Sequence, residues 1–151
     1  MERLRQIAGA IFDLDGTLLD SMGVWGEIDR RFLARRGIPL PPDYTDAVSS
    51  LDFPAAARYT IARFALTDTP EMLMREWSGL ARDAYAHEIP LKPHAAAYLR
   101  TLAARGVKLG VATSSTPDLY IPALRHNGVY DLFDAFTNRD EVARGKGFPD
   151  I

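Results

Sequence analysis

Cysteine is absent from the 151 residues of this chain. That excludes disulfides, thiolate nucleophiles and cysteine metal sites, and it suits a reducing compartment, so a cytoplasmic location is the default expectation. An excess of charge of one sign is missing as well. The 18 Lys and Arg against 20 Asp and Glu leave a net charge of −2, which gives no overall field to draw nucleic acid or an acidic membrane surface as partner. No apolar run has the length of a membrane span, and the N-terminal one is interrupted at Asp13 before it could form a signal-peptide core. Internal repeats and low-complexity tracts are lacking too. What remains is an ordinary globular balance, 47% hydrophobic and 25% charged, at about the length of one domain.

Against that background one segment stands out, Ile11-Phe12-Asp13-Leu14-Asp15-Gly16-Thr17-Leu18. Residues 7–12 are too continuously apolar to alternate, and they predict a short buried strand of a parallel sheet. Its carboxyl end, where open α/β sheets place their ligands, delivers Asp13 and Asp15. Two neighbouring carboxylates repel unless a cation or a shared proton lies between them. Magnesium is the natural candidate, because it takes oxygen ligands and commonly shares them with a substrate phosphate. Gly16 then allows the chain to turn.

Beyond Thr17 the pattern becomes helical. Val24, Ile28 and Phe32 recur at fourfold spacing, with Arg30, Arg31, Arg35 and Arg36 off that stripe as a solvated face, and Gly37 closes the helix. A proline-rich loop at 38–43 follows. Asp52 or Ser50 can cap a helix through Tyr59, Ile61 and Phe64, and Thr69-Pro70-Glu71 starts another that carries Leu73, Trp77, Leu80 and Ala84. Trp25 and Trp77 are expected in the core of this helical block, Trp25 being close enough to the hinge to touch substrate. A helix through Ala95, Tyr98, Leu99 and Leu102 leads to a second buried strand at 107–113. A further helix runs to Asn127-Gly128 despite Pro122, and 134–137 forms a third strand. Strands alternating with helices imply a parallel sheet. The expected class is therefore α/β, a Rossmann-like parallel sheet formed by residues 1–17 and 91–151, with an inserted α-helical cap at 18–90. His87, His94 and His126 have no metal-ligand spacing, and structural or surface positions are expected for them.

Three segments then follow in order, each after a strand: Asp13-Leu14-Asp15-Gly16-Thr17, Val111-Ala112-Thr113-Ser114, and Lys146-Gly147-Phe148-Pro149-Asp150. In these motifs the chain resembles the haloacid dehalogenase-like hydrolase superfamily, in its β-phosphoglucomutase and phosphatase branch with a helical cap. The resemblance implies that Asp13 is the nucleophile that becomes an aspartyl phosphate and also a magnesium ligand. It implies that Asp15 is the general acid and base, with its backbone carbonyl on the metal. Thr113 would hold a phosphate oxygen, helped by the backbone N–H of Ser114 near a helix start and by Gly16, and Lys146 would offset charge around the nucleophile and the phosphoryl group.

The chain departs from that family at two places. The fourth motif, an acidic pair after a fourth strand that supplies a remaining magnesium ligand, is not reached before Ile151. The chain is accordingly expected to be a C-terminally incomplete fragment, with its first strand left as an exposed edge. The hinge Asp20-Ser21-Met22-Gly23-Val24-Trp25 also lacks the histidine characteristic of the sugar-phosphate mutases. Hydrolysis is therefore the leading expectation: a magnesium-dependent phosphomonoester hydrolase acting on a small phosphorylated metabolite. The alternatives are a hexose-phosphate mutase and a truncated, non-catalytic module that associates through its sheet edge. Oligomeric state and substrate identity are open.

Overall fold

The structure, a computed structural model, describes residues 7–144, 146, 148 and 149. Gly147 and Asp150 of the third motif, and Ile151, lie outside the described residues. Contacts divide the chain into two compact units, Met1–Met22 with Tyr85–Ile151, and Gly23–Ala84.

The first unit is built on three parallel strands, β1 (Gly9–Phe12), β2 (Lys108–Ala112) and β3 (Ala135–Thr137), in the order β1-β2-β3. The register pairs Phe12 with Val111 and Val111 with Phe136, so all three strands end at nearly one level. Helices α5 (Ala95–Ala104) and α6 (Pro117–His126) follow the crossover pattern. Leu109 and Val111 of the central strand are buried. The expectation of a buried first strand needs correction, whereas that of an exposed edge holds among the described residues. Ile11 is 77% exposed, because among the described residues β1 has β2 as its single neighbour and so receives less cover than the strand beside it.

The two segments that leave and re-enter this unit pair with each other. Leu19 bridges Leu91, the Asp20 N–H donates to the Pro90 carbonyl at 2.9 Å, and the Lys92 N–H donates to the Leu18 carbonyl at 2.8 Å. Asn127, just past α6, ties the returning segment down. Its amide nitrogen donates to the Ile89 and Ala123 carbonyls at 2.9 Å each, and its oxygen accepts from the Leu91 N–H at 3.1 Å. Residues 18–22 and 85–90, read from sequence as cap, thus lie with the sheet.

The second unit is helical: α1 (Val24–Ala34), α2 (Tyr44–Ser49), α3 (Phe53–Phe64) and the larger part of α4 (Pro70–His87). Val24, Ile28 and Phe32 bury one stripe of α1, and Leu73, Trp77, Leu80 and Ala84 one stripe of α4. Asp52 is the cap of α3, accepting from the Ala55 N–H at 2.7 Å. The short α2 follows the proline loop and is not evident in the sequence pattern, since six residues carry too little periodicity to read. Tyr44 at its start is fully buried, its hydroxyl 2.7 Å from Thr60 Oγ1.

The arginines of α1 and of the turn after it do not form one solvated face. Arg30 and Arg31 pair with Glu27, whose carboxyl is pulled down to about 2 by the Arg30 and Arg31 hydrogen bonds. Arg36 instead reaches Asp68 and Glu76 at 2.9 Å each and lies 3.9 Å over the Phe32 ring. A guanidinium with its stem on an aromatic face and two carboxylates at its head contributes through packing as well as charge. Arg36→Ala is expected to lower stability by about 1–3 kcal/mol, whereas Arg30→Ala leaves it unchanged within error. Urea unfolding followed by circular dichroism checks both, and equal losses for the two variants would contradict the distinction.

Candidate active site

The turn after β1 is organised around Leu14. Its side chain is completely buried, while its carbonyl accepts from the N–H groups of Thr17, Leu18 and Leu19 at 3.1, 2.9 and 2.8 Å. In an extended segment neighbouring side chains alternate, so sinking Leu14 into the core turns the flanking Asp13 and Asp15 away from it. Gly16 has φ +75°, and a Cβ there would lie 3.0 Å from Met22 Sδ. The positive φ is what requires glycine here, since the Met22 side chain is 67% exposed and can move aside.

Among the described residues Asp13 has two partners. Thr17 Oγ1 donates to its Oδ2 at 3.1 Å, and the Lys146 ammonium pairs with its Oδ1. The first and third sequence motifs are thus in direct contact across 133 positions of chain. Both side chains keep about a third of their surface exposed, so the pair is open to a ligand.

Asp15 is held differently. Ser21 Oγ and the Tyr85 hydroxyl both donate to its Oδ1, at 2.6 Å each. Tyr85 is 4% exposed. Its pKa is raised above the ordinary phenol value, first because burial disfavours the phenolate and then because Asp15 accepts its proton bond. The phenol consequently remains a donor at physiological pH. Neither residue is found by sequence reasoning. Ser21 reads as an ordinary hinge residue, and Tyr85 is 70 residues from its partner, on a helix whose periodicity announces only a buried position.

Thr113 follows β2 and is buried, with its N–H on the Thr137 carbonyl at 3.0 Å. Its hydroxyl oxygen accepts from the Ser115 N–H at 3.0 Å, which leaves the hydroxyl proton available to a further acceptor. Ser114 is exposed in a bend, and α6 begins only at Pro117 with Thr116 as its cap. The Ser114 N–H therefore belongs to the loop, three positions before the helix proper. Among the described residues no hydrogen bond joins Thr113 to Asp13 or Asp15; the strand register alone brings these positions to one end of the sheet.

Among the described residues no group of three or more His, Cys, Asp or Glu could hold a metal. The donors present are nonetheless of the type magnesium takes: two carboxylates two residues apart, and the Asp15 carbonyl, which the backbone hydrogen bonds of the turn leave unused among the described residues. An all-oxygen set of this size fits a hard cation that completes its shell with water and phosphate oxygens.

A parallel sheet whose carboxyl ends present two acids, a buried hydroxyl and a lysine, interrupted by a helical unit, is a Rossmann-like α/β protein with an inserted cap. The chain belongs to the haloacid dehalogenase-like hydrolase family, whose sequence profile matches residues 10–151. Phosphoglycolate phosphatase of Yersinia pseudotuberculosis is 30% identical over 99% of this chain and 66% of its own length. A Thermotoga maritima protein whose crystal structure is named for β-phosphoglucomutase superposes with a TM-score of 0.85 at 23% identity, over 93% of this chain and 65% of that one. A haloacid dehalogenase superfamily hydrolase of Geobacter sulfurreducens gives 0.72 at 20% identity, over 95% and 68%. The chain thus spans about two thirds of the length of the proteins it resembles, and the structural likenesses show the fold.

The helical unit holds an acid that sequence reasoning passes over. Asp29 of α1 is 7% exposed, and Thr45 Oγ1 donates to its Oδ2 at 3.0 Å. Burial raises its pKa from 3.8 to about 6, a rise the Thr45 bond only partly opposes. A carboxyl whose folded value lies above its unfolded one imposes no cost below about pH 4. The cost grows between 4 and 6 and is complete above 6, on the order of 3 kcal/mol for a shift of about two units. Asp29→Asn is therefore expected to raise the thermal midpoint by a few degrees at pH 7.5 and to leave it unchanged at pH 4. Thermal unfolding at the two pH values checks this, and a loss of stability at pH 7.5 would contradict it.

Proposed function

We propose that the protein carrying this chain is a magnesium-dependent phosphomonoester hydrolase that acts on a small phosphorylated metabolite through an aspartyl phosphate. The observation that carries this reading is the different anchoring of the two acids. Asp13 meets a lysine ammonium and the Thr17 hydroxyl and keeps about a third of its surface exposed, whereas Asp15 has one oxygen fixed by two hydroxyl donors.

Phosphoryl transfer depends on in-line positioning and on stabilising negative charge. An Asp13 oxygen attacks phosphorus and the ester oxygen leaves, so that an acyl phosphate forms as the P–O ester bond breaks. The departing alkoxide takes a proton from Asp15. Because Ser21 and Tyr85 both donate to Oδ1, that oxygen stays deprotonated and Oδ2 is the one that carries the proton. Water then attacks the phosphorus of the acyl phosphate, Asp15 takes its proton, and Asp13 is released with inorganic phosphate. Lys146 offsets the charge on Asp13 and on the equatorial oxygens, while the Thr113 hydroxyl and the Ser114 N–H are donors for phosphate oxygens; the Gly16 N–H, expected from sequence to join them, is instead spent on the Leu19 carbonyl at 2.9 Å. The Asp13 carboxylate and the Asp15 backbone carbonyl would hold magnesium, which supplies charge neutralisation at the transferring group when bound. Relatives named as phosphatases support hydrolysis, as does the absence of histidine from the hinge at 20–25.

Asp13→Asn is expected to abolish release of inorganic phosphate from phosphomonoesters, and normal activity in that variant would remove the proposal. Asp15→Asn should reduce turnover by about 10²- to 10⁴-fold. Tyr85→Phe, which deletes one donor to a charged oxygen, should lower kcat by about 10- to 100-fold with little change in KM. Steady-state phosphate release by the protein that carries this chain measures all three.

A further inference from the structure

Within the helical unit lies a cavity of about 260 Å³ whose lining includes Trp25, Asp29, Thr45, Phe53 and Trp77. It is smaller than the roughly 300–1,000 Å³ of drug-sized sites, so a ligand of few atoms suits it. Trp25 and Phe53 meet edge to face with centroids 6.0 Å apart, and Phe53 and Trp77 follow at 5.4 Å, so the rings form one continuous wall. Such a wall attracts an organic cation through its ring faces.

One polar group in this lining lacks the counter-charge that burial demands. Asp29 has a neutral hydroxyl as partner and, among the described residues, no cation. A buried carboxylate without a counter-charge is costly. An anion beside an aromatic wall is the complement of a small organic cation.

We propose that this cavity binds a small organic ammonium ion, with Asp29 as counter-ion and the faces of Trp25 and Phe53 against the cation. The inference concerns the helical unit alone and does not rest on the phosphatase reading.

Calorimetric titration at pH 7.5 tests it with ethanolamine and choline, set against the uncharged ethylene glycol and 3,3-dimethylbutan-1-ol, which match them in size. At least one amine should bind about tenfold or more tightly than its uncharged counterpart. Asp29→Asn should remove that preference while the circular dichroism spectrum is unchanged. Trp25→Leu, at a position 43% exposed and so tolerant of change, should weaken the amine about threefold or more. Equal binding of the charged and uncharged molecules, no saturable binding of either amine, or a preference that survives Asp29→Asn would each overturn the proposal.

Discussion

Leu14 is fully buried between two acids, and its carbonyl gathers three successive backbone N–H groups. The side chain cannot leave the core without exposing an apolar group, and the carbonyl cannot shift without freeing three donors. These two demands together fix the direction in which Asp13 and Asp15 leave the strand. A slip of one residue would put a carboxylate in the core and a leucine in the site, which the period of an extended chain does not allow at low cost. The placement of Lys146 on Asp13 and of Ser21 and Tyr85 on Asp15 depends on this one anchored residue.

The segments at 18–20 and 89–92 have a structural task of their own. Leu19 bridging Leu91, the paired backbone bonds at Asp20 and Lys92, and the clamp of Asn127 on residues 89–91 form a short strip of backbone interactions. That strip holds the returning segment, whose first residue is Tyr85, beside the acid that Tyr85 serves. A helix that spends most of its length in one unit thereby supplies its last turn to the other.

The helical unit follows a different balance. Its ion pairs around Arg36 are matched, with two carboxylates and an aromatic face for one guanidinium. Asp29 is not matched, although it is more buried than any of those carboxylates. Stability alone would favour asparagine there, and retaining a costly group beside a cavity is the trade of stability for function that binding sites make.

Much of the sheet is legible in the sequence. The apolar runs ending in Asp13, Thr113 and Thr137 fall within a residue or two of the observed strand ends, because a parallel strand and the turn after it are written locally. The helices around Phe32, Ile61 and Trp77 are equally plain from their spacing and caps. Other features are not legible, each for a physical reason. The environment of Arg36 depends on Asp68 and Glu76, more than thirty residues away. Ser21 and Tyr85 are common residue types with no motif of their own, and their convergence on one oxygen arises from the pairing of residues 18–20 with 90–92. The order of amino acids settles on its own the chemistry offered at the strand ends, since local pattern dictates which side chains a turn presents. Tertiary packing settles which hydroxyls hold Asp15 and how deeply Asp29 is buried, since hydrogen bonding and desolvation are set by neighbours distant in the chain.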